Sequence, residues 1–284
     1  MNIVFAYHEG DADLALLSAQ AIVAMGPNFR HNATICCAYN TKNFNEIEAE
    51  LKKVFVNVEH IVSQDGFDGW PLGPNQMFDD CAAKSYTKDE AWYFWEPDCV
   101  PIKSGWADAL YDEYKQKPCI LGTKFSNNIT SDGQEMKEMI VGSAIYPPNL
   151  LDLCPLVRSL NDYNMAYRSS QTVPEPWDIR SRHEFLKIGR NTDLIKTYWK
   201  SVNYIQSQDK IVFFAQDPES QAIQNIVCPD RVVDMNAVVI HGCKDGSLHR
   251  MAINRFVMTQ PILKEKDTTI SVKTPVKQAS TKKK

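Results

Sequence analysis

"WYFWEPDCVPI", Trp92 to Ile102, runs from four consecutive aromatics into two carboxylates around a proline and then back to apolar residues. An aromatic run without polar alternation reads as a strand buried on both faces, the pattern of a sheet covered by helices on either side. In extended backbone, residues i and i+2 point the same way, so Glu96 and Asp98 aim at one spot, and Pro97 holds Glu96 in the β region. Two acids so placed repel each other and call for a positive partner.

Hard oxygen ligands without thiols suit Mg²⁺ or Mn²⁺, ions that keep open positions for water or phosphate. The plainer reading of an isolated E-x-D is two acids ending a strand in solvent. Context weighs against it here. The strand before the pair is wholly apolar, and a helix starts just after it at Ser104-Gly105-Trp106, which puts the acids at the mouth of a crevice.

Upstream, Asn2 to Tyr7 reads as a buried strand. The segment opened by Asp11 and Asp13 places Leu14, Leu17, Ala21, Ile22 and Met25 on one helical face before Gly26-Pro27 stops it. "ATICCAY" is a second strand, residues 44–55 a second helix, "VEHIV" a third strand, and residues 75–86 a third helix leading into the strand 91–95. This alternation predicts an α/β fold with a mostly parallel sheet. Ligands of such sheets bind beyond the carboxyl ends of the strands, so Ala6, Tyr7 and His8, then Tyr39-Asn40, then Glu96-Pro97-Asp98 are expected to converge on one crevice.

Past Gly122 the pattern changes to a strand "MIVGSAIY", a short helix, and an irregular polar and aromatic stretch through "PEPWDIRSRHEF". A late strand, 231–240, ends in "HGCKDGSLHR". We expect one domain over 1–262, with halves 1–123 and 124–262, and a disordered lysine-rich tail over 263–284.

The 284 residues and 44% hydrophobic content suffice for one large α/β domain. Net charge is −4, unevenly spread: from Lys264 on, seven lysines against Glu265 and Asp267 leave the tail at +5 and the rest at −9. The start of the chain lacks a signal-peptide pattern and no apolar run nears the roughly 20 residues of a membrane span, which predicts a cytoplasmic protein. The eight cysteines form no C-x-x-C pair, which argues against a zinc knuckle or disulfide scaffold.

In "VVIHGCKDGSLHR", His241 ends an apolar strand and Lys244 follows in a glycine-flanked turn. A neutral imidazole could complete a cation site with Asp98, and an ammonium could hold a diphosphate; a structural histidine and a surface lysine are the plain alternative. Ser247, His249 and Arg250 are secondary candidates for phosphate or acceptor.

A β-α-β half, a D-x-D-like pair ending the fourth strand, a mixed second half and a histidine in a late H-x-x-K-like segment together resemble the GT-A glycosyltransferases, over residues 1–255. The resemblance implies a Rossmann-type mixed sheet flanked by helices, an Mn²⁺ or Mg²⁺ cofactor held by Asp98, His241 and Glu96, and a nucleotide-sugar donor, with UDP-glucose the guess from family frequency. Glu96 departs from a strict D-x-D, and its role is either the metal or the donor ribose. Lys244 would grip the leaving phosphate, while Asn75 would lie near the sugar with Trp70 as an apolar wall. For the acceptor side the resemblance suggests Asp178 as the carboxylate that guides the hydroxyl, beside Trp177, Arg180 and Arg182; an N-cap is the alternative role for Asp178.

The overall look is most similar to small phage transferases that modify DNA. Arg158, Arg168, Arg180, Arg182 and Arg190 near Tyr163, Tyr167 and Trp177 give the basic and aromatic mix of a DNA acceptor site, 5-hydroxymethylpyrimidine being the favoured acceptor. A saccharide, lipopolysaccharide or metabolite acceptor is the alternative, and the acidic total favours it. A nucleotidyltransferase fits less well because the first strand lacks a glycine-rich basic loop after it; a non-catalytic nucleotide-sugar-binding module is a further alternative.

Overall fold

A computed structural model describes residues 1–63, 69, 71–125, 128–129, 135–136, 138–168, 175–197, 227–228, 231–232, 237–246, 248–250 and 252–254. The first half alternates β1 (Asn2–Ala6), α1 (Ala12–Ala24), β2 (Asn32–Cys37), α2 (Phe44–Leu51), β3 (Val58–Val62), α3 (Leu72–Lys88) and β4 (Trp92–Trp95). A two-residue β5 (Val100–Pro101) and α4 (Trp106–Gln116) follow the acids. β6 (Ile120–Phe125) and β9 (Met139–Tyr146) flank a small hairpin of β7 (Asn128–Ile129) and β8 (Glu135–Met136). Short helices α5 (Leu150–Leu153), α6 (Pro155–Arg158), α7 (Leu160–Arg168), α8 (Trp177–Arg180) and α9 (Arg182–Ile188) lead to β10 (Gly189–Asn191), β11 (Ile195–Thr197), β12 (Val227–Cys228), β13 (Arg231–Val232) and β14 (Val239–His241).

The main sheet has seven strands in the order β10-β6-β9-β4-β1-β2-β3. β4, β1, β2 and β3 run parallel, and β9 runs antiparallel to both β4 and β6, so the sheet is mixed. This is the α/β architecture read from the sequence, with "VEHIV" and "MIVGSAIY" recovered residue for residue. The third helix is longer than its periodicity suggests. It starts at Leu72 because Pro74 sits in its first turn, where a missing N–H costs nothing.

Alternate residues of the central strands feed two cores. Phe5, Ile35, Tyr93 and Trp95 face α1, α2 and α4, whereas Val4, Cys36, Trp92 and Phe94 face α3 and the second-half helices. Burial on both faces is the physical reason the strands read as unbroken apolar runs. Each fully buried phenylalanine contributes on the order of 2 kcal/mol in transfer from water.

The face of α1 differs from the expectation. Its buried residues are Ala12, Ala15, Ser18, Ala19, Ala21 and Ile22, while Leu14 and Leu17 are half-buried. Small side chains let the helix lie close to the sheet, and the two leucines lean instead toward Gly246, where an added Cβ would sit 2.9 Å from a Leu17 methyl. The late strand expected over 231–240 is described only at its ends, as β13 and β14. The lysine-rich tail lies outside the described residues. Among the described residues no helix is long and apolar enough to cross a membrane, and the seven cysteines whose side chains are described are free and buried.

Candidate active site

The parallel register brings three loops to one sheet edge. Phe5 pairs with Trp95 and Ala6 with Cys36, so the residues after β1, β2 and β4 all leave the sheet on the same side. Ala6 and Tyr7 are buried there, and the Tyr7 hydroxyl donates to Lys42 O at 3.3 Å. His8 caps a helical turn by accepting the Gly10 N–H and pairs with Asp11 at 3.0 Å; Tyr39 stands 70% exposed.

The acid turn between β4 and β5 closes with the Cys99 N–H on Glu96 O at 2.9 Å. A second sheet, β11-β14-β5, then delivers the histidine. β14 pairs antiparallel with β5, Ile240 opposite Val100, so the next residue along β14, His241, arrives beside the acids. His241 also stands opposite Thr197 of β11, and the two side chains meet at 3.3 Å through Nδ1 and Oγ1.

His241 Nε2 lies 2.8 Å from Glu96 Oε2 and 3.3 Å from Asp98 Oδ1. His241 and Asp98 are buried, while Glu96 is partly open to solvent. Burial alone would depress the imidazole, but the facing Asp98 and Glu96 carboxylates outweigh it and raise the ring to about 10. The same pairing holds Asp98 below its usual value against the opposite push of burial, helped by the Lys244 charge. Lys244 itself is exposed.

Asp98 Oδ1 is buried and has no partner in hydrogen-bond geometry among the described residues. Two carboxylates and an imidazole nitrogen converging on one spot form a ligand set that a hard divalent cation fits. One atom each of Asp98, Cys99 and His241 lie within 4.8 Å of one another. The Cys99 thiol faces the Ser143 hydroxyl at 3.0 Å, and burial pushes it well above its usual value, which leaves oxygen and imidazole as the natural donors.

Asp178 is the second residue of α8, whose N-cap is Pro176; its carboxylate accepts the Ile179 N–H at 2.9 Å, and it does not serve as the cap. The chain around it forms two short helices, α8 and α9, separated at Ser181. Burial, then the nearby Glu96 charge, raise Asp178 to about 7. Although half-buried by area, it responds to both Glu96 and His241 and therefore belongs to the same electrostatic cluster.

Other expected site residues have work inside the fold. Asn75 is fully buried, its Oδ1 accepting the Trp177 N–H at 2.7 Å and its Nδ2 donating to Asn164 Oδ1 and Glu175 O, each at 3.1 Å. Trp177 is 3% exposed, with its ring stacked on Phe78 at 3.6 Å between centroids. Arg180 lies over the Tyr163 ring at 3.7 Å, and Arg182 donates to Ile179 O at 3.1 Å. Arg158 pairs with Asp152 and Arg190 with Glu113. Trp70 and Ser247 lie outside the described residues, and Arg250 donates to Asp245 O at 2.8 Å.

Sequence reading missed Thr197 and Ser143, which touch His241 and Cys99. Ser18 was missed as well, although a polar residue on the alanine face of α1 is a signal; its Oγ donates to Cys99 O at 3.0 Å and accepts the Trp95 indole N–H at 2.9 Å.

No protein-family model matches the chain, and no curated protein matches it in sequence. Among solved structures, the galactosyltransferase LgtC in complex with donor and acceptor sugar analogs is similar over 93% of this chain and 98% of that chain, at 12% identity and a TM-score of 0.47. The glycosyltransferase GlyE of Streptococcus pneumoniae TIGR4 is similar over 90% of this chain and 63% of its own, at 8% identity and a TM-score of 0.47. Mouse xyloside xylosyltransferase 1 is similar over 85% of this chain and 96% of its own, at 9% identity and a TM-score of 0.47.

Proposed function

We propose that the protein is a metal-dependent glycosyltransferase that moves a sugar from a nucleotide diphosphate donor, a UDP-sugar, to a hydroxyl acceptor. The observation that carries this reading is the approach of His241 Nε2 to both Glu96 and Asp98 at the carboxyl edge of a mixed α/β sheet.

Asp98, His241 and Glu96 would hold Mn²⁺ or Mg²⁺, whose charge supplies Lewis-acid stabilisation to a diphosphate. The chain's own residues divide the remaining work. Lys244, exposed beside Asp98, offers a cation to the departing phosphate as the bond from the anomeric carbon to the β-phosphate oxygen breaks. Asp178, raised to about 7, is poised to take the proton of the acceptor hydroxyl as its oxygen bonds to the anomeric carbon. The ends of β1 and β2, with Tyr7, His8 and exposed Tyr39, supply the donor side.

For the acceptor, Arg180 stacked on Tyr163, with Tyr167 at 4.5 Å from that ring, supports a 5-hydroxymethylpyrimidine of DNA. The internal pairing of Arg158 and Arg190 removes part of the basic surface that reading needs, and a saccharide hydroxyl is the competing acceptor.

The test is mass spectrometry after incubating the protein with Mn²⁺ and mixed UDP-sugars, using duplex DNA with 5-hydroxymethylpyrimidines in one arm and a saccharide panel in another. A sugar-shifted product in either arm, lost with EDTA, is the expected result. The absence of both a sugar-shifted product and manganese-dependent UDP release would overturn the proposal.

A further inference from the structure

The helical turn at residues 248–250 places His249 against the back of the acid turn, fully buried. Its Nε2 lies 2.9 Å from Pro97 O and 3.1 Å from Cys99 O. A ring nitrogen facing two carbonyl oxygens is an N–H donor, so Nδ1 carries the lone pair, and Nδ1 has no hydrogen-bond partner among the described residues. The two carbonyls belong to the residues on either side of Asp98, and the imidazole therefore grips the backbone across the ligand.

Two further contacts hold the same turn: Ser18 Oγ donates to Cys99 O, and the Cys243 N–H donates to Asp98 O at 3.0 Å. Among the described residues, His249 is the one side chain bonded to Pro97 O. A side chain present only to fill this space would be better apolar, because burying Nδ1 without a partner is unfavourable. What the imidazole adds over leucine is the N–H shared by the two carbonyls.

We infer that His249 is a positioning residue of the cation site, fixing the Pro97–Cys99 backbone so that Asp98 and Glu96 face His241. The inference rests on the proposed function through its metal requirement. Partners that orient a ligand, though they never touch the ion, typically tune affinity by about 10–100-fold.

The test is Mn²⁺ titration followed by electron paramagnetic resonance on the full chain, alongside the manganese activation constant for UDP release and a thermal melt. His249→Leu, which keeps bulk and removes the donor, should bind Mn²⁺ at least about tenfold more weakly. His249→Gln, whose amide nitrogen reaches the Nε2 position, should recover most of the loss. The activation constant should rise with the dissociation constant, while kcat at saturating manganese changes less, a split that general destabilisation would not give.

His249→Leu binding Mn²⁺ as tightly as the wild type would overturn the inference. If His249→Leu shows no cooperative melt, His249→Asn replaces it, since its amide stops near the Nδ1 position; wild-type affinity in that variant overturns the inference equally. A wild-type protein that binds no Mn²⁺ is a different result, and it overturns the metal reading itself.

Discussion

Asn75 carries the backbone of Trp177: from α3 its Oδ1 accepts the Trp177 N–H at 2.7 Å, one residue before Asp178. A residue expected at the sugar instead fixes the segment that presents the candidate base. Asn75→Leu leaves the Trp177 N–H, Glu175 O and Asn164 Oδ1 without their partner. Leaving a buried donor or acceptor unsatisfied costs about 1–3 kcal/mol, so urea unfolding should show a loss of about 3 kcal/mol. Transfer should fall as well, with donor affinity nearly unchanged by calorimetry; a large loss of donor affinity alone would restore the donor role.

Asp98→Asn keeps the shape of the turn and removes one charge facing His241. Electrostatic stabilisers of a developing charge are worth about 100–1000-fold in kcat, and we expect sugar transfer to fall at least about hundredfold. EDTA should abolish the wild-type reaction and Mn²⁺ restore it, whereas added Mn²⁺ should leave the variant inactive. Steady-state UDP release checks each arm.

The His241 imidazole is raised from 6.5 to about 10 in the folded protein. A raised histidine contributes stability that is fully present below pH 6.5 and is lost as pH climbs toward 10. Metal-free protein in EDTA should therefore lose melting temperature over that window, and His241→Gln should flatten the slope. Mn²⁺ competes with the same proton, so its affinity should rise with pH across the same range. A melting profile unchanged by the substitution would contradict the pairing with Glu96 and Asp98.

Asp178 is raised from 3.8 to about 7. Between those values the native state keeps a proton that the unfolded chain has lost, so this group lowers stability as pH rises from 3.8 to 7. Asp178→Asn should remove that fall in a pH series of thermal melts. In the proposed role of base Asp178 must be ionised, so transfer should climb through pH 7 and level off above it, while Asp178→Asn should be inactive at every pH.

The sheet was legible because its strands are buried on both faces and therefore appear as unbroken apolar runs such as Val4–Ala6 and Trp92–Trp95. The meeting of Glu96, Asp98 and His241 was legible for a related reason: each follows such a run, and polar residues at that point protrude from a sheet edge. What could not be read was the partner of a side chain. Asn75 looks free on its helix, and Trp177 looks like a platform, until the second half folds over α3 and turns both inward. The arginines likewise read as a basic face, yet Glu113, distant in sequence, neutralises Arg190, and Asp152 takes Arg158 across a break between two short helices. Non-local pairing of this kind leaves no periodic trace.

Gly142 in β9 shows how closely the second half fits the first. A Cβ there would meet Trp177 at 2.6 Å and 2.9 Å and the Asp178 Oδ2 at 3.6 Å. Trp177 has little room to retreat, since its ring is stacked on Phe78 and packed edge-on against Phe94 and Tyr146. Overpacking of a well-filled core costs about 1–3 kcal/mol, and Gly142→Ala should lose that much in chemical denaturation. Displacing Trp177 also moves Asp178, the next residue, while Asp98 stands in the turn after β4 and His241 on β14. Manganese binding should consequently survive in Gly142→Ala while transfer drops; a parallel loss of both would mean that the two halves of the site do not move independently.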